Sequence, residues 1–174
     1  MAILPQHAEL IRNVPDFPLP GVQFKDITPL LADGPAFKDV IDTLAERYAG
    51  VKVDIVAGVE SRGFIFSAPV AYRLGAGLVP IRKPGKLPAE TVQMEYSLEY
   101  GTNTLQMHRD AFAPGARVLL VDDLLATGGT IGAAAQLVEE LGGKIVELAF
   151  VIELSFLGGR QRLSNYPIFS LVQY

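Results

Sequence analysis

Four consecutive apolar residues, Val118-Leu-Leu-Val121, run directly into Asp122-Asp123 and then into Leu-Leu-Ala126-Thr127-Gly128-Gly129-Thr130. A strand that is apolar on both sides fits the centre of a sheet covered on both faces. Further strand-length runs occur at Ile55–Ala57, Leu78–Ile81, Ile145–Ile152 and Ile168–Val172. Helix-period segments separate them. Phe37, Val40, Ile41, Leu44 and Tyr48 form one apolar stripe, and Ile131, Ala134, Ala135, Val138 and Leu141 form another, ended by Gly142-Gly143. Phe64–Leu74 reads as a third helix, more thoroughly buried than the others. This alternation predicts an α/β fold: a mostly parallel twisted sheet flanked by helices, with residues 1–174 forming a single domain.

Two segments interrupt the alternation. Residues 13–34 are proline-rich and read as an irregular hood over one sheet edge, within an N-terminal region of about 1–34. Residues 83–108 place Val92, Met94, Tyr96, Leu98 and Tyr100 at period two, with Gly101-Thr102-Asn103 as a turn signal. That pattern predicts an inserted hairpin, and a long insertion in a small domain is more often a lid than filler.

Composition removes several classes of function. The 174 residues include no Cys, which excludes disulfide scaffolds, thiolate metal sites and thiol catalysis. A net charge of −4 argues against general nucleic-acid binding, which needs a basic footprint. The start lacks the basic and apolar regions of a signal peptide, and no apolar run approaches the ~20 residues of a membrane span. A cytoplasmic protein with neither nucleic-acid nor membrane partners is therefore expected. His7 and His108 have no metal-ligand spacing. Met94 and Met107 read as packing, and Glu139-Glu140 as the solvated face of a helix.

The Asp122–Thr130 segment carries the chemistry. Ligands of open α/β sheets bind beyond the carboxyl ends of strands, where its turn falls. Glycines let a ligand approach the backbone, and a helix start offers unpaired N–H groups to an anion, with Thr127 and Thr130 adding hydroxyls. Asp122 and Asp123 accept hydrogen bonds but do not donate them, so they suit hydroxyls or a divalent cation rather than phosphate. A phosphorylated sugar satisfies both ends of the segment. Neither G-x-x-x-x-G-K-[ST] nor a complete dinucleotide fingerprint is present. Glu60-Ser61-Arg62-Gly63 follows a strand and precedes a helix, giving a second anion site of the same kind.

Asp122–Thr130 resembles the phosphoribosyl-diphosphate (PRPP) motif of the type I phosphoribosyltransferases. Pro15-Asp-Phe-Pro, Phe24-Lys25-Asp26, Ser61-Arg62-Gly63-Phe64, Arg82-Lys83-x-Gly85-Lys86-Leu-Pro88, Ser97-Leu-Glu99-Tyr100-Gly101 and Phe169-Ser-Leu-Val-Gln-Tyr174 are similar, in order, to the adenine-specific branch of that family. The resemblance implies transfer of ribose 5-phosphate from PRPP to adenine, giving AMP and pyrophosphate through an oxocarbenium-like transition state. It places the 5-phosphate on Ala126, Thr127, Gly128, Gly129 and Thr130, and the ribose hydroxyls on Asp122 and Asp123. Pyrophosphate falls to Ser61, Arg62, Gly63, Arg82, Lys83 and Lys86. Glu60 is left either to bind magnesium water or to orient Arg62. Adenine is read by the backbone of Gln23 and Lys25, between Phe24 and Leu124.

By the same resemblance Glu99 handles the base proton, and Tyr100 helps a lid over about 83–108 exclude water. Mg²⁺ is expected, held mainly by PRPP and water, with the participation of Asp122 or Asp123 left open. A homodimer is implied as well. Two other readings stay open: the same chemistry on another purine base, and a PRPP-sensing regulator without catalysis.

Overall fold

The computed structural model describes residues 5–98 and 101–174, and Glu99 and Tyr100 lie outside the described residues. The chain begins with a hairpin, β1 (Arg12–Pro15) paired antiparallel with β2 (Gln23–Asp26), followed by the short α1 (Thr28–Ala32) and by α2 (Gly34–Arg47). Then come β3 (Ile55–Val59), α3 (Gly63–Leu74), β4 (Gly77–Ile81), β5 (Thr91–Leu98), β6 (Gly101–His108) and β7 (Arg117–Leu125). The chain closes with α4 (Gly129–Glu140), β8 (Lys144–Glu153), α5 (Gly159–Arg162) and β9 (Ile168–Gln173). β3, β4, β7, β8 and β9 form the parallel sheet, in the order β4-β3-β7-β8-β9. All five strands coincide with runs expected from the sequence.

Val118–Val121 is fully buried, and its side chains alternate between two cores. Leu119 and Val121 pack with Val40, Leu44, Phe66 and Val70 of α2 and α3. Val118 and Leu120 pack with Ile131, Ala134 and Val138 of α4. Each such Val or Leu contributes roughly 1.5–3 kcal/mol by leaving water. α2 starts where its sequence asks it to: Asp33 caps it by accepting the Ala36 N–H at 2.9 Å, with Pro35 in the first turn.

Three expectations need correction. The 13–34 segment is not irregular, because residues 12–15 and 23–26 pair as a hairpin. Its turn is closed by Asp16, which accepts the Gly21 N–H at 2.7 Å. Gly101–Asn103 is strand rather than turn, pairing with Tyr96–Leu98. The body of the second hairpin joins the core, as Val92, Leu105 and Met107 are buried in the cluster built around α4. Finally, α3 is less buried than α4. Five of its 12 residues are buried against seven of 12 in α4, and Ile65 and Tyr72 are exposed, Tyr72 by 86%.

Two buried carboxylates on β8 fasten it to the elements around it. Glu147 accepts from Arg47 Nε at 2.7 Å, Arg47 Nη2 at 2.9 Å and the Tyr48 hydroxyl at 2.7 Å. Burial pushes its carboxyl up, but these donors outweigh that and hold it below the usual range. Glu153 accepts from Arg160 Nε at 2.9 Å and from the Ser170 hydroxyl at 2.6 Å, bolting α5 to β8 and β9. No helix among the described residues is long and apolar enough to cross a membrane.

Candidate active site

The strand order places a cleft between β3 and β7. β3 leads outward through α3 to β4, and β7 leads the other way through α4 to β8. Where neighbouring strands send their crossovers in opposite directions, their carboxyl-end loops separate and leave a crevice. β7 deepens that crevice by outlasting its neighbour. Its pairing with β3 stops at Val121, whereas its pairing with β8 continues to Leu125. Asp122 and Asp123 therefore lie on the strand itself, beside the gap, rather than in the loop beyond it. The resulting cavity measures about 430 Å³.

Phe24, Glu60–Arg62 and the continuous stretch Asp122–Ile131 line this cavity. The structure thus brings together Phe24, Ser61, Arg62, Asp122, Asp123, Leu124 and Ala126–Thr130. Gly63 sits just behind, at the start of α3, where a side chain would meet Asp122 Oδ1 at 2.8 Å. Gln23, Lys25, Arg82, Lys83 and Lys86 are not in the lining. Gln23 Oε1 accepts from Asn13 at 2.8 Å, and Lys25 Nζ stands 3.6 Å from the centre of the Tyr174 ring.

At the far end of the cavity the chain turns through Gly128 (φ +81°) into α4. A side chain at that position would be strained and would meet Leu163 Cδ1 at 3.0 Å and the Gly159 carbonyl oxygen at 3.1 Å. Among the described residues no side chain caps α4, so its first N–H groups are left for an anion. The Thr130 hydroxyl stands 3.4 Å from the hydroxyl of Tyr96 on β5.

The acidic pair is electrostatically loaded. Asp122 Oδ1 accepts the Asp123 N–H at 2.9 Å. Burial first, and then the charge of Asp123, push the Asp122 carboxyl well above the usual range. Burial also raises Asp123, against the opposing pull of Arg62. Arg62 Nε lies 2.8 Å from Asp123 Oδ2, yet that oxygen is buried without an aligned hydrogen bond. It is an acceptor awaiting a donor. Among the described residues no three acidic or histidine side chains gather to hold a metal. A cation here would take one or two carboxylate oxygens and fill its remaining positions from a phosphorylated ligand and water, the usual arrangement for Mg²⁺.

Glu60 is a hub for other cations. Its carboxylate accepts the Lys83 N–H at 2.7 Å, Arg82 Nε at 3.0 Å and Lys86 Nζ at 3.3 Å. Burial raises this carboxyl, but those three donors outweigh it and hold it below the usual range. Glu60 therefore engages Arg82 and Lys86 rather than orienting Arg62, one of the two roles suggested for it above. The Glu60–Ser61 peptide is cis.

The sequence reading missed the support behind the phosphate turn. Gly159 places its backbone against the Ala126 carbonyl oxygen, and Leu163 packs behind Gly128. The signal was the Gly158-Gly159 pair closing a third strand-to-helix connection, overlooked because it carries no reactive side chain.

A phosphoribosyl transferase domain matches residues 30–169, and the fold is that of the type I phosphoribosyltransferases. The chain is 70% identical over 167 residues to an adenine phosphoribosyltransferase of Chloroflexus aurantiacus, covering 96% of each chain. It superposes with a TM-score of 0.96 on the crystal structure of the adenine phosphoribosyltransferase of Thermoanaerobacter pseudethanolicus, at 56% identity and covering 98% of this chain and 99% of that one. The Saccharomyces cerevisiae adenine phosphoribosyltransferase, solved with adenine and an imino-altritol bisphosphate, gives 0.90 at 40% identity, covering 95% and 96%. The chain belongs to the adenine phosphoribosyltransferase family.

Proposed function

We propose that the protein transfers ribose 5-phosphate from PRPP to adenine, giving AMP and pyrophosphate, as a single-domain cytoplasmic homodimer. The observation that carries this reading is the cleft between β3 and β7, where an aromatic ring, an anion-binding loop, a carboxylate pair and a glycine turn line one cavity.

On this reading the α4 turn, Ala126–Thr130, holds the 5-phosphate through its free N–H groups. The ribose hydroxyls donate to Asp122 and Asp123, and Asp123 Oδ2 gains the hydrogen bond it lacks. As the bond from C1 to pyrophosphate breaks, C1 becomes cationic, and the two carboxylates favour that charge in a site sheltered from water. Ser61, Arg62 and Gly63 receive the leaving group, with Arg82, Lys83 and Lys86 adding positive charge nearby. Asp122 or Asp123, together with PRPP and water, would hold Mg²⁺, which would supply charge neutralisation of the departing diphosphate.

Adenine enters between Phe24 and Leu124. Among the described residues β2 pairs with another strand on one side only, and residues two apart on a strand present their backbone groups to the same edge. Gln23 and Lys25 are therefore a matched pair for the edge of the base. A base offering an acceptor where adenine offers a donor would leave buried groups unpaired and be rejected. The imidazole N–H proton leaves as the new C–N bond forms, and Glu99, carried between β5 and β6, is the carboxylate assigned to take it. Tyr100 and the hairpin end close over the site.

Turnover with PRPP and Mg²⁺ across adenine, hypoxanthine, guanine, xanthine and orotate tests the assignment. AMP and pyrophosphate from adenine alone, lost with EDTA, is the expected outcome; turnover of another base would discard the reading of Gln23–Lys25. The exposed apolar side chains Ile65, Tyr72 and Leu78 on α3 and β4 support the homodimer. Sedimentation equilibrium should return twice the chain mass, and a monomer at micromolar concentration would rule the dimer out.

A further inference from the structure

We propose that Arg62 is a substrate-displaced plug: in the free enzyme its guanidinium covers both the base platform and the ribose carboxylate, and the diphosphate draws it away and opens them. The inference rests on the proposed activity and deepens it, because it gives one side chain control over two subsites.

Three observations carry it. Arg62 Nε lies 2.8 Å from Asp123 Oδ2. The same guanidinium stands 5.0 Å from the centre of the Phe24 ring, whose other aromatic contact is the edge-on Phe17 at 5.1 Å. All three residues, Phe24, Arg62 and Asp123, line the one cavity. A flat cation over Phe24 takes the place where a flat base would stack, and a cation on Asp123 occupies the oxygen a ribose hydroxyl would use. Arg62 and the nucleoside portion of the product therefore compete for the same surfaces.

The plug is held in a way that favours exchange. The Asp123 side chain is 6% exposed and that of Arg62 34%, so the guanidinium approaches the carboxylate from the solvent side. Their contact is close but lacks an aligned hydrogen bond on Oδ2. Arg82 contrasts with it, donating from Nε to Glu60 at 3.0 Å and from Nη1 to the Lys86 carbonyl at 3.3 Å. A diphosphate offers a guanidinium paired acceptor oxygens that match its planar fork, which the present contact does not. The backbone need not move. Arg62 is the residue just before α3, in ordinary helical geometry (φ −71°, ψ −30°), so rotation of the side chain alone carries its charge from Asp123 toward Ser61 and Gly63.

A binding site that is open only part of the time weakens apparent affinity by the open fraction. If the plug is seated nine-tenths of the time, adenine binds the free enzyme about tenfold more weakly than the opened one. Pyrophosphate, by drawing Arg62 away, should then strengthen adenine binding without touching the base.

Calorimetric titration of adenine into the full chain, with and without Mg²⁺-pyrophosphate, reads this directly. For the wild type, pyrophosphate should tighten adenine binding about tenfold. Arg62→Ala should bind adenine about tenfold more tightly than the wild type in the absence of pyrophosphate, gain nothing further when it is added, and bind pyrophosphate itself more weakly. Arg62→Lys, which loses the planar face over Phe24, should shift adenine binding in the same direction and carries the test if the alanine variant does not fold. Adenine affinity unchanged or weakened in a folded Arg62 variant would overturn the plug while leaving the transferase reading intact. Failure of the wild type to bind adenine under any of these conditions would instead overturn the activity on which the plug depends.

Discussion

Asp122→Asn and Asp123→Asn should each lower kcat/KM by about 10²-fold or more, the scale of losing one preorganised electrostatic contact to a transition state. The first of these should at the same time raise the melting temperature. Asp122 is pushed well above its ordinary range by burial and by the neighbouring charge, so its ionised form strains the native state. A carboxyl whose folded value lies above its unfolded value costs stability in full once the pH exceeds the folded value, and that cost fades as the pH falls from there toward the ordinary carboxylate range, below which it is gone. Asparagine removes the charge and keeps an oxygen for the Asp123 N–H. The stability gain of Asp122→Asn should accordingly be present at high pH and vanish in acid, a trend that calorimetry at several pH values would trace. Unchanged kinetics in both variants would remove the pair from the site, and a melting temperature lowered at every pH would contradict the burial argument for Asp122.

That opposition of stability and activity explains why the pair was legible before the structure was. Two adjacent carboxylates after a fully apolar strand break the pattern that burial alone would select, and such a break needs a chemical reason. The five parallel strands were legible for the opposite reason: each is a run that only a covered sheet accommodates. The extent of β7 was not, because its last four residues, Asp122–Leu125, mix carboxylates with leucines and owe their strand geometry to β8 alongside them. Nor could the sequence report that Arg82 and Lys86 converge on Glu60, since those contacts join residues 22 and 26 positions apart. The hairpin body illustrates a third limit. Period-two alternation in residues 92–98 identified the strand, but alternation does not say what covers the apolar side, and here α4 does. Tyr72 on α3 shows the same ambiguity in reverse, an apolar-looking helix position that the single chain leaves in solvent.

Gly159→Ala should lower kcat/KM about 10²-fold, mostly through a raised KM for PRPP, although residue 159 lies outside the cleft lining. A side-chain carbon there would collide with the Ala126 carbonyl oxygen and stand 2.9 Å from Leu125 Cδ1. One side of that collision has to yield. α5 is poorly placed to do so, because Arg160 is bonded to Glu153, whose side chain is 4% exposed, and also to the Ile168 carbonyl at 2.9 Å. The turn that starts at Ala126 is the freer partner, so the added methyl group should push the phosphate cradle into the cleft and misplace the sugar relative to pyrophosphate. Overpacking of this kind also costs about 1–3 kcal/mol of stability, measurable by urea unfolding. Gly50→Ala is the matched control, since a carbon there meets nothing within 4 Å, and its kinetics should stay at the wild-type level. An unchanged KM for PRPP in Gly159→Ala, with stability lowered, would mean that α5 gives way and that the cradle is held from the α4 side instead.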